Sequence, residues 1–499
     1  MNVEDVSSHN KSGRSCAALH SLQEYLRFFK SNRNYQFYLI SHSCLHVGDA
    51  MVKMASVLSI EVLAPGSGTN ISLLVMCETL PQIVITPLGG ILADRYDRRR
   101  LMVILDSISA VGVLGFIFAH RAGNLYCLYG ATIFRNCIAS LYAPVSTSIT
   151  PMFVSGPEDL KRITVFNGTA WSTVQIIGGL SAGYLTASLG VEACYLFDSG
   201  TYLISAICIK FITGSFNAAL DTSQKQHTIE SIFEATSQKK SIRRSFLLRL
   251  IESLRCCLIP LWRLIIPTRN LVSYLYTCGF GMLIFMEATA SMTWGSDDVL
   301  EVMYSEVKGD EDESARRLGM LYAFGGFGSL IGPLLASLFT NASQPHTIQL
   351  ACIASFFLLI FGWVGISNAP SFEIICFFTV VRCAGGSTIY LNSTLLLQNL
   401  TKRIDMLGRV LASERMLSSL FQVIISYTAG RLEDNGFGKH DIALLSACVG
   451  GIFATFWSCY HLFGLGAARV YTHSKDSDNE ILSLRRTSID TIHSPVVLV

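Results

Sequence analysis

Long apolar segments alternate with short polar breaks from residue 35 to residue 466, and this alternation dominates the chain. A helix needs roughly 20 residues to cross a bilayer core about 30 Å thick. Twelve segments reach that length. They are 35–61, 70–93, 101–120, 125–150, 163–186, 192–214, 270–294, 317–340, 347–366, 372–396, 408–430 and 441–466. Because a backbone in lipid must satisfy its own hydrogen bonds, the pattern predicts twelve transmembrane α-helices.

The composition agrees with this pattern. Of the 499 residues 51% are hydrophobic and 15% are charged, whereas an ordinary soluble domain has about 25% charged residues. Too few polar side chains are present to cover a soluble globule. A net charge of +2 offers no general attraction to nucleic acid. We therefore predict an all-α polytopic membrane protein whose surroundings are the lipid bilayer.

A polar break divides the predicted spans six and six, which suggests two helical bundles. The predicted parts are a cytoplasmic N-terminal tail 1–34, a first bundle 35–214, a basic linker 215–269, a second bundle 270–466 and a polar cytoplasmic tail 467–499. Within the linker, apolar residues between Phe246 and Leu258 fall on one helical face. This stretch is either an amphipathic helix on the cytoplasmic leaflet or a loosely ordered connection.

The distribution of Lys and Arg sets the orientation. The predicted inner loops, the linker and the end of the N-terminal tail from Arg27 onward hold 21 of these residues, and the outer loops hold six. Positive charge is enriched in cytoplasmic loops, so both termini are predicted to be cytoplasmic. Asn70 then lies outside, in an Asn-Ile-Ser glycosylation pattern. The protein is expected in the plasma membrane or in an organelle membrane.

The two halves resemble each other at a sequence offset of 247. Comparing 135–185 with 382–432 without gaps gives 12 identities in 51 positions. The shared residues include Arg135 and Arg382, and an arginine within a membrane span is rare and costly. Parallel repeats of six helices joined by a basic linker are typical of secondary transporters.

A charged break follows the second span. The segment from Gly90 to Arg100 reads GILADRYDRRR and resembles the signature loop of the major facilitator superfamily. In that pattern Gly, three residues, Asp, a basic residue, any residue and Gly precede further basic residues; here Asp97 replaces the second glycine. The order of the spans, Arg135 in the fourth span and the glycines of the fifth also match, so the resemblance covers roughly 35–466.

The resemblance has further implications. The opening from Asn34 to Asp49 is similar to the branch that contains bacterial enterobactin and macrolide exporters. The resemblance implies two six-helix bundles and export of a small organic or amphipathic solute, with protons as the coupling ion. The fifth span departs from the drug–proton antiporter motif by lacking its proline. The second half lacks the charged loop, so the family gate is expected to be one-sided here. We expect a monomer.

In the family, the loop's acid and basic residues clamp the inner ends of helices in one conformation and release them in the other. The gating candidates here are Gly90, Asp94, Arg95, Arg98 and Arg99. The alternative is a topology anchor, which would favour the basic residues but would not require Asp94.

The first span places His42, His46, Asp49 and Lys53 on one helical face. A lone charge near the middle of a bilayer is unfavourable, so this face should line the bundle interior or a water-filled cavity. Asp49 is the first candidate for proton coupling and His46 for the cavity wall. The alternative is that Asp49 and Lys53 form a neutral pair that only packs.

Two further carboxyl groups lie within predicted spans, Glu78 in the second and Glu287 in the seventh. Neither has an obvious partner nearby in the sequence. Such a carboxyl in a low-dielectric site can exchange protons, as coupling requires. A neutral, hydrogen-bonded structural glutamate would have the same sequence pattern, so both interpretations stand.

The repeat-related arginines are candidates for the substrate cavity. Helical spacing places Tyr142 and Ser146 on the face of Arg135, and Ser393 on that of Arg382. A guanidinium cannot deprotonate, so it must contact an acid or several carbonyls. It either holds an anionic group of the substrate or ties helices to an acid such as Asp49 or Asp106. We interpret Asp198, Glu414 and Arg415 as structural.

Together these features predict a proton-coupled efflux transporter that works by alternating access. A proton-independent facilitator of the same fold and a transport-inactive receptor or scaffold remain alternatives. The sequence contains no nucleophile–base pair and no set of metal ligands, so we predict no enzyme activity, no cofactor and no metal site.

Overall fold

The computed structural model describes residues 27–154, 157–214, 216, 281–340, 344–401 and 404–463. Regular structure within these ranges is entirely helical. The α-helices are α1 (Arg33–Leu63), α2 (Gly68–Arg95), α3 (Arg98–Arg121), α4 (Leu125–Ile149), α5 (Pro157–Leu189), α6 (Val191–Phe211), α7 (Phe285–Trp294), α8 (Asp297–Ser305), α9 (Glu311–Ser337), α10 (Pro345–Ser367), α11 (Phe372–Leu400), α12 (Ile404–Asp434) and α13 (Lys439–Leu462).

The prediction of an all-α polytopic membrane protein is confirmed. The first six predicted spans coincide with α1 to α6, and the last five with α9 to α13. The described part of the seventh span is a short 3₁₀ turn, Gly281–Ile284, followed by α7. By length and composition, six of the described helices can cross a membrane. They are the α2 segment Gly68–Thr86, α3, α9, α10, α11 and α13.

Local sequence signals explain the helix ends in the first half. The Asn32 side chain accepts a hydrogen bond from the Tyr35 amide at 3.0 Å and caps α1. Asp97 caps α3 by accepting from the Arg100 amide at 2.9 Å. Between α3 and α4, Gly123 has a φ of +61°, a left-handed conformation that glycine adopts without steric cost. The Asn124 side chain then accepts from the Tyr126 amide at 2.9 Å and caps α4.

The backbone contacts divide the described residues into two compact units. One contains the described parts of 27–66, 73–216 and 305–323, and the other those of 67–72, 281–304 and 324–463. The predicted linker 215–269, apart from Phe216, and the predicted tail 467–499 lie outside the described residues. The predicted domain boundaries therefore stay predictions.

The first unit has a core in which aromatic and aliphatic side chains of α1, α3, α4, α5 and α6 meet. Tyr35 and Tyr38 are buried there with stacked rings 6.3 Å apart. The Tyr35 hydroxyl donates to the Asn167 side chain at 2.9 Å, and the Tyr38 hydroxyl donates to the Ser146 carbonyl at 3.1 Å. These bonds satisfy the polar ends of two otherwise apolar side chains.

The second unit uses tryptophans in the same way. Trp363 of α10 donates to the Thr293 carbonyl of α7 at 3.0 Å. Trp457 of α13 donates to the Thr289 hydroxyl of α7 at 2.9 Å. Both indoles are fully buried, so these bonds fix α7 against α10 and α13.

Candidate functional site

A cluster of ionisable side chains surrounds Arg135 in the first unit. The Arg135 guanidinium, on α4, donates to the Asp49 carboxylate on α1. Its Nε also lies 3.9 Å from Asp198 Oδ2 on α6. Asp198 is fully buried, and the Arg135 side chain is 10% exposed, whereas that of Asp49 is 41% exposed. Two carboxyl groups therefore share one buried guanidinium, and one of them reaches open space.

Asp49 has further polar neighbours. Tyr202 of α6 donates to Asp49 Oδ1 at 3.3 Å. The Nδ1 atom of His46 lies 3.5 Å from Asp49 Oδ2, one helical turn away. His46 in turn contacts His42, with 3.1 Å between their Nε2 atoms. The carboxylate is therefore joined to a row of groups that can accept or donate protons.

A second, more deeply buried acid lies between α3 and α6. Asp106 is 1% exposed and accepts a hydrogen bond from the Ser205 hydroxyl at 2.6 Å. Ser205 also pairs with Ser41 of α1 at 2.7 Å. The Tyr142 side chain lies beside these three residues. Tyr142 is thus close to Asp106, a neighbour that the sequence pattern did not indicate.

Two other predicted residues of this half have different surroundings. The Ser146 hydroxyl donates to the Ala143 carbonyl of its own helix at 3.0 Å, and Ser146 is buried. Glu78 of α2 is half-buried and lies within electrostatic range of Arg135. Glu78 therefore adds a further negative charge near the Arg135 cluster.

The repeat-related Arg382 has a comparable cluster in the second unit. Its guanidinium, on α11, contacts the Asp297 carboxylate and donates to Glu301 Oε1 at 3.0 Å; both acids are on α8. It also lies over the Trp363 ring, 4.7 Å from the centroid. The Arg382 side chain is 2% exposed. Two adjacent acids and an aromatic face thus surround this guanidinium.

Glu287 belongs to a third cluster, also in the second unit. Arg415 of α12 donates to Glu287 Oε1 at 3.1 Å, and its guanidinium lies 3.7 Å above the Tyr390 ring. Glu414 is fully buried, and its carboxyl group lies beside the Glu287 carboxyl group and the Ser393 hydroxyl. Glu287 therefore has an ionic partner, and Ser393 lies next to Glu414.

The charged loop ties helix ends together through carbonyl groups. Arg98 donates to the Ala93 carbonyl at 3.2 Å and to the Ser148 carbonyl at 3.1 Å. Arg99 donates to the carbonyls of Ile209, at 3.2 Å, and of Lys210. A side chain at Gly90 would meet open space. The side chains of Asp94 and Arg95 lie outside the described residues, so their gating role stays a prediction.

Comparison with known proteins identifies the family. The model of the Major Facilitator Superfamily matches residues 39–413, well over half of the chain. The chain belongs to the major facilitator superfamily. The resemblance of the signature loop to this family is confirmed, and the members of the family are membrane transporters.

Relatives of this transporter are distant. It is 23% identical over 184 residues to the uncharacterized MFS-type transporter YfiS of Bacillus subtilis, covering 37% of this chain and 43% of that protein. It is 24% identical over 242 residues to the putative bacilysin exporter BacE of Bacillus amyloliquefaciens, covering 45% and 58%. The match thus spans about half the length of these curated relatives.

Solved transporters share the fold. The nucleoside transporter NupG has a TM-score of 0.56 at 11% identity, covering 86% of this chain and 98% of that chain. A bacterial homologue of the iron transporter ferroportin, in an inward-facing state, has a TM-score of 0.56 at 13% identity, covering 85% and 98%. At such identities the likeness concerns the fold.

Sequence reasoning missed the two acidic partners of Arg382, Asp297 and Glu301. Asp297 lies 248 residues after Asp49, and Glu301 lies 248 residues after Lys53, whereas the offset between the two halves at 135–185 is 247. A gap of one residue ahead of the fourth spans would have aligned Asp49 with Asp297. Such an alignment would have indicated Asp297 as the counterpart of Asp49. The ungapped comparison covered only 135–185 and therefore did not include the first spans.

Proposed function

We propose that this transporter exports a small organic or amphipathic solute in exchange for protons, by alternating access. The observation that carries the proposal is the Arg135 cluster. Asp49 is 41% exposed and contacts a guanidinium that is nearly buried, in a cluster with a second, fully buried acid. An accessible carboxylate in this setting can gain a proton or interact with a solute.

Charge counting shows how exchange could operate here. With Asp49 and Asp198 both ionised, the cluster with Arg135 has one net negative charge. One proton neutralises it, and a neutral cluster is cheaper to dehydrate. A solute that interacts with the charged form and a proton that neutralises the cluster therefore compete. Competition between proton and solute at one site is the requirement for antiport.

The conformational part of the proposal concerns the two halves of the chain. We propose that twelve spans form two bundles, 35–214 and 270–466, which rock against each other around a central site. The inner loop with Asp94 and Arg95 would act as the gate, and both termini would be cytoplasmic, in the plasma membrane or an organelle membrane. The name of the relative BacE supports export as the direction. A monomer suffices for this cycle.

A two-stage experiment tests the function. A thermal-shift screen of the purified protein first selects small organic and amphipathic solutes that stabilise it, because a ligand stabilises the state to which it binds. Each selected solute is then applied as a gradient to proteoliposomes that contain a pH-sensitive dye. We expect the solute gradient to drive proton movement in the opposite direction.

Two outcomes would contradict the proposal. Solute flux without proton movement in the wild type would favour a proton-independent facilitator. Binding without flux, with the accessibility of a cysteine placed at Ser393 unchanged by solute, would favour a transport-inactive receptor.

Asp297→Asn is the matched control variant for Asp49→Asn, because Glu301 still pairs with Arg382 at 3.0 Å.

A further inference from the structure

The Glu287 cluster contains two carboxyl groups and one guanidinium. Glu287 on α7 is 3% exposed and Glu414 on α12 is fully buried. The two carboxyl groups lie within hydrogen-bonding range of each other. Arg415 donates to one oxygen of Glu287, Oε1, at 3.1 Å. One positive charge thus neutralises one of two adjacent acids.

The remaining carboxyl oxygens form no hydrogen bond to any described residue, although the Ser418 and Ser393 hydroxyls lie beside Glu287 and Glu414. Within the described part of the chain, Glu287 Oε2 and both carboxyl oxygens of Glu414 are buried without a hydrogen bond. Leaving a buried polar atom unpaired costs free energy, and leaving a buried charge unpaired costs more. A proton on Glu414 would remove the unpaired charge. The same proton would supply an O–H donor for Glu287 Oε2.

We propose that Glu414 holds a proton and donates it in a hydrogen bond to ionised Glu287, which makes this pair a second proton site. No covalent bond other than the O–H bond changes when the site loads or empties. Adjacent carboxyl groups that cannot both ionise share a proton and titrate as a pair. The use of this site in transport rests on the proposed function, but its existence does not.

The groups around the pair are consistent with this assignment. On α7 and α12, Ser291 and Ser418 hydrogen-bond to each other at 2.5 Å. On α11, Ser393 lies beside Glu414 and Tyr390 stacks on Arg415. Cys352 of α10 is buried near Glu414. From α13, Trp457 donates to Thr289. Among these neighbouring groups, Arg415 is the one that carries a positive charge.

The Arg415 contact joins the buried pair to a more exposed side chain. The Arg415 side chain is 43% exposed, while its partner Glu287 is almost completely buried. Separation of Arg415 from Glu287 would leave Glu287 without a cation, and the pair would then keep its proton more firmly. Contact between them favours an ionised Glu287. The Arg415 contact therefore regulates how readily the pair loads and releases a proton.

Infrared difference spectroscopy of the full-length protein in lipid, recorded across a pH titration, tests the assignment without any solute. The wild type should show the carbonyl stretch of a buried protonated carboxylic acid, separate from any band of the buried Asp106, that disappears as the pair deprotonates. Glu414→Gln should lose this band. Glu287→Gln should lose it as well, because Glu414 would then ionise to neutralise Arg415. Glu311→Gln, at an exposed position, is the control and should keep it.

The variants distinguish sharing from simple burial. If the band persists in Glu287→Gln, Glu414 is protonated by its surroundings alone and the shared site is wrong. A wild type without the band at any pH, or one in which Na⁺ rather than protons occupies the site and stabilises the protein, also overturns it. If Glu414→Gln does not fold, the result for Glu287→Gln alone decides the test. A band that behaves as expected in a protein without proton-coupled flux would leave this site intact and refute the proposed function alone.

Discussion

Arg135 and Arg382 occupy equivalent positions in the two halves, yet their partners differ. Arg135 contacts Asp49 of α1, within the first span, and Arg382 contacts Asp297 of α8, just after the seventh span. Arg382 has a second acid one turn further along α8, Glu301 at 3.0 Å, and an aromatic ring beneath it. Arg135 has Asp198 at 3.9 Å, and its closer acid is 41% exposed.

The difference indicates how one ancestral arrangement can serve two purposes. In the second half, the arginine is enclosed by acids and by Trp363, which is the pattern of a fixed helix-to-helix tie. In the first half, the acid reaches open space and has His46 beside it. Asp49 is 41% exposed, whereas Asp297 and Glu301 are 20% and 12% exposed. We therefore propose that the Arg135 cluster serves transport and that the Arg382 cluster serves stability.

Replacing each arginine should have the largest effect on the free energy of unfolding. Arg382→Gln leaves two acids in a nearly closed site, and breaking a buried ion pair in this way costs about 3–5 kcal/mol. Arg135→Gln should cost less, because Asp49 is 41% exposed and the buried Asp198 keeps a hydrogen bond from the Thr201 hydroxyl at 3.1 Å. The free energy of unfolding in mixed micelles measures both. Equal losses, or a larger loss for Arg135→Gln, would show that the two clusters do not differ in this way.

A pair of glycine substitutions should have an intermediate effect. A Cβ at Gly362 would lie 2.6 Å from Arg382 Cβ and 2.8 Å from its Cα, so α10 and α11 would have to separate. Overpacking of this kind typically costs about 1–3 kcal/mol. At Gly48 the Cβ would meet the ends of the Asp198 and Thr201 side chains, which can rotate away. Gly48→Ala should therefore cost less stability than Gly362→Ala and should displace Asp198.

Thermal unfolding and proton coupling measured on both glycine variants provide the check. We expect Gly362→Ala to lower the unfolding temperature more than Gly48→Ala, and Gly48→Ala to impair coupling more. The reverse order would contradict the assignment of the two clusters.

The smallest expected effect concerns the inner loops. Asp97 caps α3, while Gln344 at the matching start of α10 forms no side-chain cap bond. Losing a capping side chain costs about 1 kcal/mol. Asp97→Ala should therefore lower the free energy of unfolding by about that amount, and Gln344→Ala should leave it unchanged. Two equal values would mean that the Asp97 cap does not contribute.

Most of the fold could be predicted from the sequence because lipid imposes a simple rule. A span must be helical, apolar and about 20 residues long, and the bounds of α1 to α6 follow the hydropathy pattern closely. The end of α7 at Trp294 agrees with the predicted end of the seventh span, but α8 was not predicted, because Asp297 begins a polar stretch. The local pattern there is that of a loop, although α8 carries the two acids of the Arg382 cluster.

The candidate site could be predicted only in part. Helical spacing placed His46 and Asp49 on one face, and their contact is local. The partners of Glu287 and Arg382 come from other helices, at sequence separations of 128 and 81 residues. Periodicity along one helix contains no information on such contacts. Asp97 shows a different limit: it departs from the family pattern and takes up a capping role that the pattern does not describe.

The most direct test of the central claim is proton release on solute binding. Purified protein in weakly buffered detergent is mixed with a solute that stabilises it in the thermal-shift screen, and a pH dye reports the protons released. We expect the wild type and Asp297→Asn to release protons on binding, whereas Asp49→Asn should bind the solute and release none. Undiminished proton release from Asp49→Asn would show that proton and solute do not compete at Asp49, which would contradict the account.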